Sequence, residues 1–375
     1  MNAPAPRFFR FLNVAPEIFV GGDSYEVANI RQSEKIMNAS SCLDRRSTVL
    51  QKIVMRNFGP YYGQNTLKLS EDKGTPVTIV SGPGASGKAT IIRAIRWCLF
   101  GLQVGEILNS DAKSNAKTGD TISVSVELYF QHKGKTLALK RIQSYVRKEE
   151  AVVENNIILS FNGLECTEDQ FLAIADRIVP EQLFQLYCWT EKMFMRGMGP
   201  GLFECLESAY SLYCDKKHLT QSDYSFHDFM AAIMRIAEKY YAKRSGKFGD
   251  INLIWDDGFY LIYKIEDVLI EGEFPEEERH VLTAAVAVAC QVFCVENDLL
   301  WGCMPVIVEE PLRIYPLSSK DVYLYLRYMP DSQTLFLVGE YGITSIKSLF
   351  KPLSMYIYVL EYDKEKQRTK ISYAK

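Results

Sequence analysis

Pro76-Val-Thr-Ile-Val80-Ser81 runs into Gly82-Pro83-Gly84-Ala85-Ser86-Gly87-Lys88-Ala89-Thr90, and the architecture follows from this junction. A short apolar run bounded by glycine predicts a buried strand over 76–80. The residues from Lys88 onward predict a helix over 88–99, closed by Gly101. Between the two lies G-x-x-x-x-G-K, in the strand–loop–helix setting where that pattern has a mechanism. Glycines let backbone N–H groups wrap phosphate oxygens, the helix N-terminus favours negative charge, and the Lys88 ammonium reaches the β- and γ-phosphates. The expected nucleotide-binding set is Gly82, Pro83, Gly84, Ala85, Ser86, Gly87, Lys88, Ala89 and Thr90. One position departs from the pattern. A Ser or Thr after the lysine would ligate Mg²⁺ through its hydroxyl. Ala89 occupies that place, and Thr90 is one step further round the helix, facing elsewhere. Phosphate binding is retained on this reading, and the metal site is weakened.

The second chemical element is Met304-Pro-Val-Ile-Val-Glu309-Glu310-Pro311, a β-forming run ending in two carboxylates. It resembles a Walker B strand, in which Glu309 would hold Mg²⁺ and Glu310 would activate the attacking water as general base. An Asp is usual at the metal position. Glu309 is one methylene longer, and Mg²⁺ demands near-ideal octahedral geometry. The same residues also read as a strand end followed by solvated acids, and the loop upstream favours the first interpretation.

Working outward, strands are expected at 49–55 and 66–69, with a turn at Asn57-Phe58-Gly59-Pro60 between them. Ile122, Val124, Val126, Leu128 and Phe130 alternate strictly and predict a half-buried strand, paired with 136–142. A second hairpin spans 157–166 around Asn162-Gly163, and a helix at 171–178 stops at Pro180. Gly197-Met-Gly-Pro-Gly201 is the candidate boundary between two lobes. Beyond it come helices at 202–213 and 226–243, a hairpin at 251–254 and 259–265, a long apolar helix at 278–295, strands at 305–308 and 334–338 around a helix at 320–328, and an alternating tail at Met355, Ile357 and Val359. Residues 1–46 show no clear periodicity and predict an irregular extension with one short helix at 25–37.

Taken with the loop, Asn57-Phe58-Gly59-Pro60-Tyr61 and Ile91-Ile-Arg-Ala-Ile-Arg-Trp97-Cys-Leu-Phe-Gly101 resemble the N-terminal lobe of SMC-like ABC ATPases, the chromosome-maintenance and double-strand-break-repair group. The likeness is strongest to DndD, the ATPase associated with DNA phosphorothioation, and covers 48–200 and 250–345. It implies an α/β fold: a bilobed ABC/SMC-type P-loop NTPase head with a mixed sheet and antiparallel β hairpins, folded from both halves of the chain. The implied layout is an extension at 1–46, an N-terminal ATPase lobe at 47–200, a short helical insertion at 201–250 and a C-terminal lobe at 251–375.

The sequence departs from that family in several places. Its signature Leu-Ser-x-Gly-Glu corresponds to Phe274-Pro275-Glu276-Glu277-Glu278-Arg279, where Pro275 has no N–H and Glu277 sets a carboxylate where phosphate would approach. The Leu-Asp of the D-loop is replaced in Tyr315-Pro-Leu-Ser-Ser, and the switch histidine is absent near Ser332-Gln333. Only residues 203–250 separate the lobes. At about 1.5 Å per residue they allow a short helical hairpin and no long coiled coil.

Lys+Arg 43 against Asp+Glu 46 leaves a net charge of −3, so any DNA contact must be local. Three basic clusters are candidates: Arg235, Lys239, Lys243, Arg244 and Lys247; Lys140, Arg141, Arg147 and Lys148; and Lys364, Lys366, Arg368 and Lys370. Each also reads as a solvated face or tail. At 47% hydrophobic and 24% charged residues the composition is that of a globular chain and excludes a disordered or fibrous one. Met1-Asn-Ala-Pro-Ala-Pro-Arg lacks the apolar core of a signal peptide, and the nine cysteines include no Cys-x-x-Cys, so a cytoplasmic protein with reduced thiols and no membrane anchor is expected.

The functional expectation is a degenerate ATPase-head protein, binding ATP and Mg²⁺ weakly or not at all. It would serve a DNA-modification, repair or anti-phage complex alongside other subunits, with DNA and a homo- or heterodimer through the heads as further partners. Two other readings share these residues: a slow ATP hydrolase whose partner supplies an intact signature, and an interaction module that no longer binds nucleotide.

Overall fold

The computed structural model describes residues 48–71, 76–101, 106–132, 135–149, 151–190, 200–245, 251–255, 259–265, 268–273, 276–302, 304–309, 333–340, 342, 355–366 and 368–374. The expected helices at 25–37 and 320–328, the Tyr315 stretch, Phe274, Pro275 and the general-base candidate Glu310 lie outside them. Of the proposed lobe boundary at 197–201, only its last two residues lie within them.

Three sheets carry the fold. The first is antiparallel and ordered β2-β1-β4-β5-β6-β7, from β1 (Thr48–Phe58), β2 (Tyr61–Lys68), β4 (Thr121–His132), β5 (Lys135–Arg147), β6 (Val152–Phe161) and β7 (Leu164–Cys166). The second is mixed and ordered β15-β14-β3-β13-β12-β8, from β3 (Val77–Ser81), β8 (Cys188–Trp189), β12 (Val306–Glu309), β13 (Thr334–Val338), β14 (Met355–Asp363) and β15 (Arg368–Tyr373). Because β3 lies between β13 and β14, both halves of the chain build one sheet. The third is the meander β11-β10-β9, from β9 (Ile251–Trp255), β10 (Phe259–Ile265) and β11 (Val268–Glu273). This is an α/β fold with a mixed sheet and antiparallel hairpins.

The helix α1 (Lys88–Phe100) leaves the phosphate-loop motif and packs between the first two sheets, against β1, β4 and β5 on one side and β13 on the other. Its buried face includes Ile91, Ala94, Ile95, Trp97, Cys98 and Leu99, while the alternating residues of β4 from Ile122 to Phe130 are all buried. Gly101 closes it in the left-handed conformation at φ 73° and donates its N–H to the Trp97 carbonyl. A short helix α2 (Ser110–Asn115) follows, with the Asn109 side chain accepting from the N–H groups of Asp111 and Ala112. Then α3 (Glu168–Ile178) starts on a capping box between Thr167 and Gln170.

Between the halves lie α4 (Pro200–Lys217) and α5 (Phe226–Ser245), and after the meander comes α6 (Glu276–Glu296). From Ala284 to Cys290 every α6 residue is buried, as expected for a helix apolar all round. Thr283 and Gln291, its polar interruptions, are buried too, and Gln291 donates to the Leu186 carbonyl at 2.6 Å. Among the described residues no helix is long and apolar enough to cross a membrane.

Three expectations are revised. First, the second strand begins at Tyr61, five residues before the expected 66–69. Its polar middle, Gln64 and Asn65, hides the periodicity, whereas pairing with β1 from Phe58 opposite Tyr61 to Lys52 opposite Lys68 holds it extended. Second, the expected hairpin at 251–265 has a third strand, β11, paired to β10. The aromatic residues of α4 and α5 pack on α6, with Tyr213 and Phe229 each 5.1 Å from the Phe293 ring. Third, the basic cluster on β5 is not one exposed face, although Lys148 is exposed and Lys140 and Arg147 are partly so. Lys140 pairs with Glu127 at 2.5 Å, and Arg141 is buried against Trp97 and Phe171, donating from Nε to the Cys98 carbonyl. In the C-terminal cluster, Arg368 is engaged by Asp111 and the Tyr62 ring.

Candidate functional site

The phosphate-loop motif leaves the C-terminal end of β3, where the Gly82 N–H donates to the Val338 carbonyl of β13. Two of its positions admit only glycine. A Cβ at Gly82 would lie 2.5 Å from Ser86 Oγ and 2.9 Å from Leu360 Cβ. Gly87 stands at φ 97°, and a Cβ there would lie 2.9 Å from Pro60 and 3.1 Å from the Tyr61 hydroxyl. The loop is therefore drawn tight against the β1–β2 turn and β14.

Lys88 folds back over the loop and donates to the carbonyls of Gly82 at 2.7 Å and Pro83 at 2.8 Å. Gly87 offers no side-chain cap to α1, so the helix N-terminus keeps backbone donors for an anion. Among the described residues, the N–H groups of Gly84, Ala85 and Gly87 donate to no backbone carbonyl. Pro83 is half-buried, while Gly84 and Ala85 are exposed and form the outer lip of the loop, with Ala85 at φ 61°. Ser86 is buried, and its Oγ has no hydrogen-bond partner. This donor set fits a polyphosphate.

The metal side is poorer. Ala89 is exposed at the start of the helix and presents a methyl group where a hydroxyl would ligate Mg²⁺. Thr90 cannot replace it: its side chain is buried toward Gly59, where its Cγ2 would lie 2.9 Å from an added Cβ. Glu309 ends β12 and stands beside Leu337 of β13, which stands beside Val80 of β3. With strands about 4.8 Å apart, the Glu309 backbone is about 10 Å from that of Val80, at the end of the sheet where the loop emerges. One carboxylate is thus brought to the loop's side of the sheet; the second, Glu310, lies outside the described residues. Behind Glu309, burial pushes the Cys188 thiol up in pKa, with Arg96 of α1 acting in the opposite direction and Glu309 in the same one.

The sequence singled out the loop and Glu309 but not the residues that hold the loop from behind. Tyr61 is fully buried and donates its hydroxyl to the Gly87 carbonyl at 3.0 Å. Thr369, 283 residues from Ser86, donates its hydroxyl to the Ser86 carbonyl at 2.9 Å and its N–H to the Pro60 carbonyl. Tyr61 belongs to a stretch that the sequence had singled out; nothing around Thr369 marked it. The switch position also needs correction. Gln333 precedes β13, at the opposite end of that strand from the phosphate loop; the end beside the loop is Val338-Gly339-Glu340, which has no histidine either.

The AAA domain family matches residues 52–187, a stretch containing the phosphate loop, α1 and most of the antiparallel sheet. No curated protein matches the chain. Among solved structures, the chain is similar to the SMC head domain from Thermotoga maritima, with 12% identity, a TM-score of 0.49, and 87% of this chain and 99% of that one covered. It is also similar to the recombination mediator protein RecF bound to ATP, with 10% identity, a TM-score of 0.44, and 88% and 98% covered.

Proposed function

We propose that the chain is a nucleotide-binding ATPase-head protein of the SMC/DndD type. Its catalytic elements are degenerate, and it serves as a binding or scaffolding subunit of a DNA-modification, repair or anti-phage assembly. The observation that carries this reading is the phosphate loop itself, a glycine-restricted turn between β3 and α1 with Lys88 folded over it and Glu309 at the same end of the sheet. The match to the AAA domain family over the same stretch supports it. ATP supplies the triphosphate on this reading. Gly82 to Lys88 wrap it, Lys88 neutralises its charge, and Glu309 provides a carboxylate for Mg²⁺, with Ala89 withholding the usual hydroxyl. Glu310 is assigned the general base. The DndD likeness and the defence or repair setting rest on the sequence resemblance alone.

Steady-state ATP turnover tests the degeneracy. The isolated chain is expected to hydrolyse ATP no faster than about once per minute at saturation, far below the usual enzyme range of about 1–10³ s⁻¹. Turnover within that range contradicts it. Restoring the missing hydroxyl gives the converse result. Ala89→Thr is expected to tighten ATP binding about tenfold in Mg²⁺ and to leave it unchanged in EDTA, measured by calorimetry.

A further inference from the structure

The loop's backbone is set by two side chains from outside it, and their effect follows from peptide geometry. A trans peptide points its C=O and the next N–H in opposite directions, and the described chain has no cis bond. Thr369 holds the Ser86 carbonyl at 2.9 Å, so the Gly87 N–H faces away from Thr369. Tyr61 holds the Gly87 carbonyl at 3.0 Å, alongside the Thr90 N–H, so the Lys88 N–H faces away from Tyr61. Gly87, left-handed at φ 97° and ψ 7°, is followed by helical Lys88, the alternation that turns consecutive N–H groups into one concavity. We propose that Tyr61 and Thr369 are positioning residues that lock these two peptides with their N–H groups toward the phosphates and their carbonyls away from them. This inference rests on the nucleotide-binding reading above and adds to it how the cradle is kept in its binding form.

The reason a lock is needed lies in Gly87. A peptide beside glycine rotates at little steric cost, and a flipped Ser86–Gly87 unit would aim a carbonyl oxygen at a triphosphate. Thr369 is itself fixed, with its N–H on the Pro60 carbonyl and its neighbour Arg368 bound to Asp111 and stacked 4.0 Å from the Tyr62 ring. Tyr61 is fully buried, and burial raises its pKa far above the usual tyrosine value, so it remains a donor at any working pH. Both locks therefore come from paired strands, β2 and β15, that do not belong to the loop.

The test is calorimetric binding of ATP and of inorganic tripolyphosphate to the full chain and its variants. Thr369→Val removes the hydroxyl at nearly constant shape and is expected to weaken both ligands by the same factor, about tenfold, while Thr369→Ser retains wild-type affinity. Tyr61→Phe is expected to weaken both about threefold, because the Thr90 N–H still holds the Gly87 carbonyl. Equal loss for the two ligands with an unchanged melting temperature marks positioning of the phosphate donors. If Thr369→Val and Tyr61→Phe bind both ligands like wild type while Lys88→Ala does not, the lock is wrong and the nucleotide site stands. If the wild type binds neither ligand, both ideas fall. Should Thr369→Val fail to fold, Tyr61→Phe decides, and wild-type affinity in that variant overturns the lock.

Discussion

Lys88→Ala is expected to weaken ATP binding at least about a hundredfold, or roughly 3 kcal/mol, in equilibrium titration. Two losses combine in that figure. The ammonium is the cation at the loop's mouth, and its bonds to the Gly82 and Pro83 carbonyls also hold the turn closed. Without it, a triphosphate meets two carbonyl oxygens with no charge to offset them. The rest of the fold has little reason to change. The loop's other anchors, from Tyr61, Thr369 and the Val338 carbonyl, do not depend on Lys88, so the far-UV spectrum and melting temperature should stay close to wild type. A Lys88→Ala chain that binds ATP like wild type removes any nucleotide role from this loop.

The second large effect is expected far from the loop. Gln333 sits between the first and second sheets with its amide fully used: Nε2 donates to the carbonyls of Leu50 at 2.8 Å and Ser70 at 2.9 Å, and Oε1 accepts from the Leu50 N–H at 3.2 Å. Leu50 is fully buried and Ser70 nearly so, so water does not replace a lost partner. Gln333→Met keeps the length and removes all three bonds, taking from the buried Leu50 N–H and carbonyl the partners that Gln333 supplies. The expected cost is about 3 kcal/mol, seen as a lower denaturation midpoint with an unchanged slope. The melting temperature should fall by roughly 5–10 °C. A midpoint equal to wild type would mean that the two sheets do not depend on this amide.

These two residues also mark what the sequence could and could not reveal. Lys88 was legible because its chemistry is local. Strand, glycine turn and helix follow one another within 76–100, and each has its own periodicity or turn signal. The antiparallel strands were legible for the same reason, most clearly where Ile122 to Phe130 alternate. Gln333, Tyr61 and Thr369 were opaque because each acts on a backbone group brought to it by strand order. Gln333 meets Leu50 across 283 positions, as Thr369 meets Ser86. A polar residue destined to satisfy a distant carbonyl looks in sequence like any surface residue. Arg141 shows the converse error. It lies in a run of basic residues and invited a surface reading, yet β5 alternates, so Lys140 meets Glu127 while Arg141 turns inward beneath α1. Its buried neighbours, Trp97 and Phe171, come from helices that the sequence had placed but could not orient.

On the proposed reading, the part of the site that would govern hydrolysis is the least complete: Ala89 and the longer Glu309 would both act against tight Mg²⁺ coordination, while Gly82 to Lys88 would still hold phosphate. Binding and turnover are therefore expected to separate. The most direct measurement is titration of ATP into the wild-type chain with Mg²⁺ and again with EDTA. One ATP per chain, bound with a Kd in the range of about 1–100 μM and shifted less than about tenfold by removing the metal, is the predicted result. No saturable binding up to about 1 mM ATP in either buffer, a limit of about −4 kcal/mol, contradicts it.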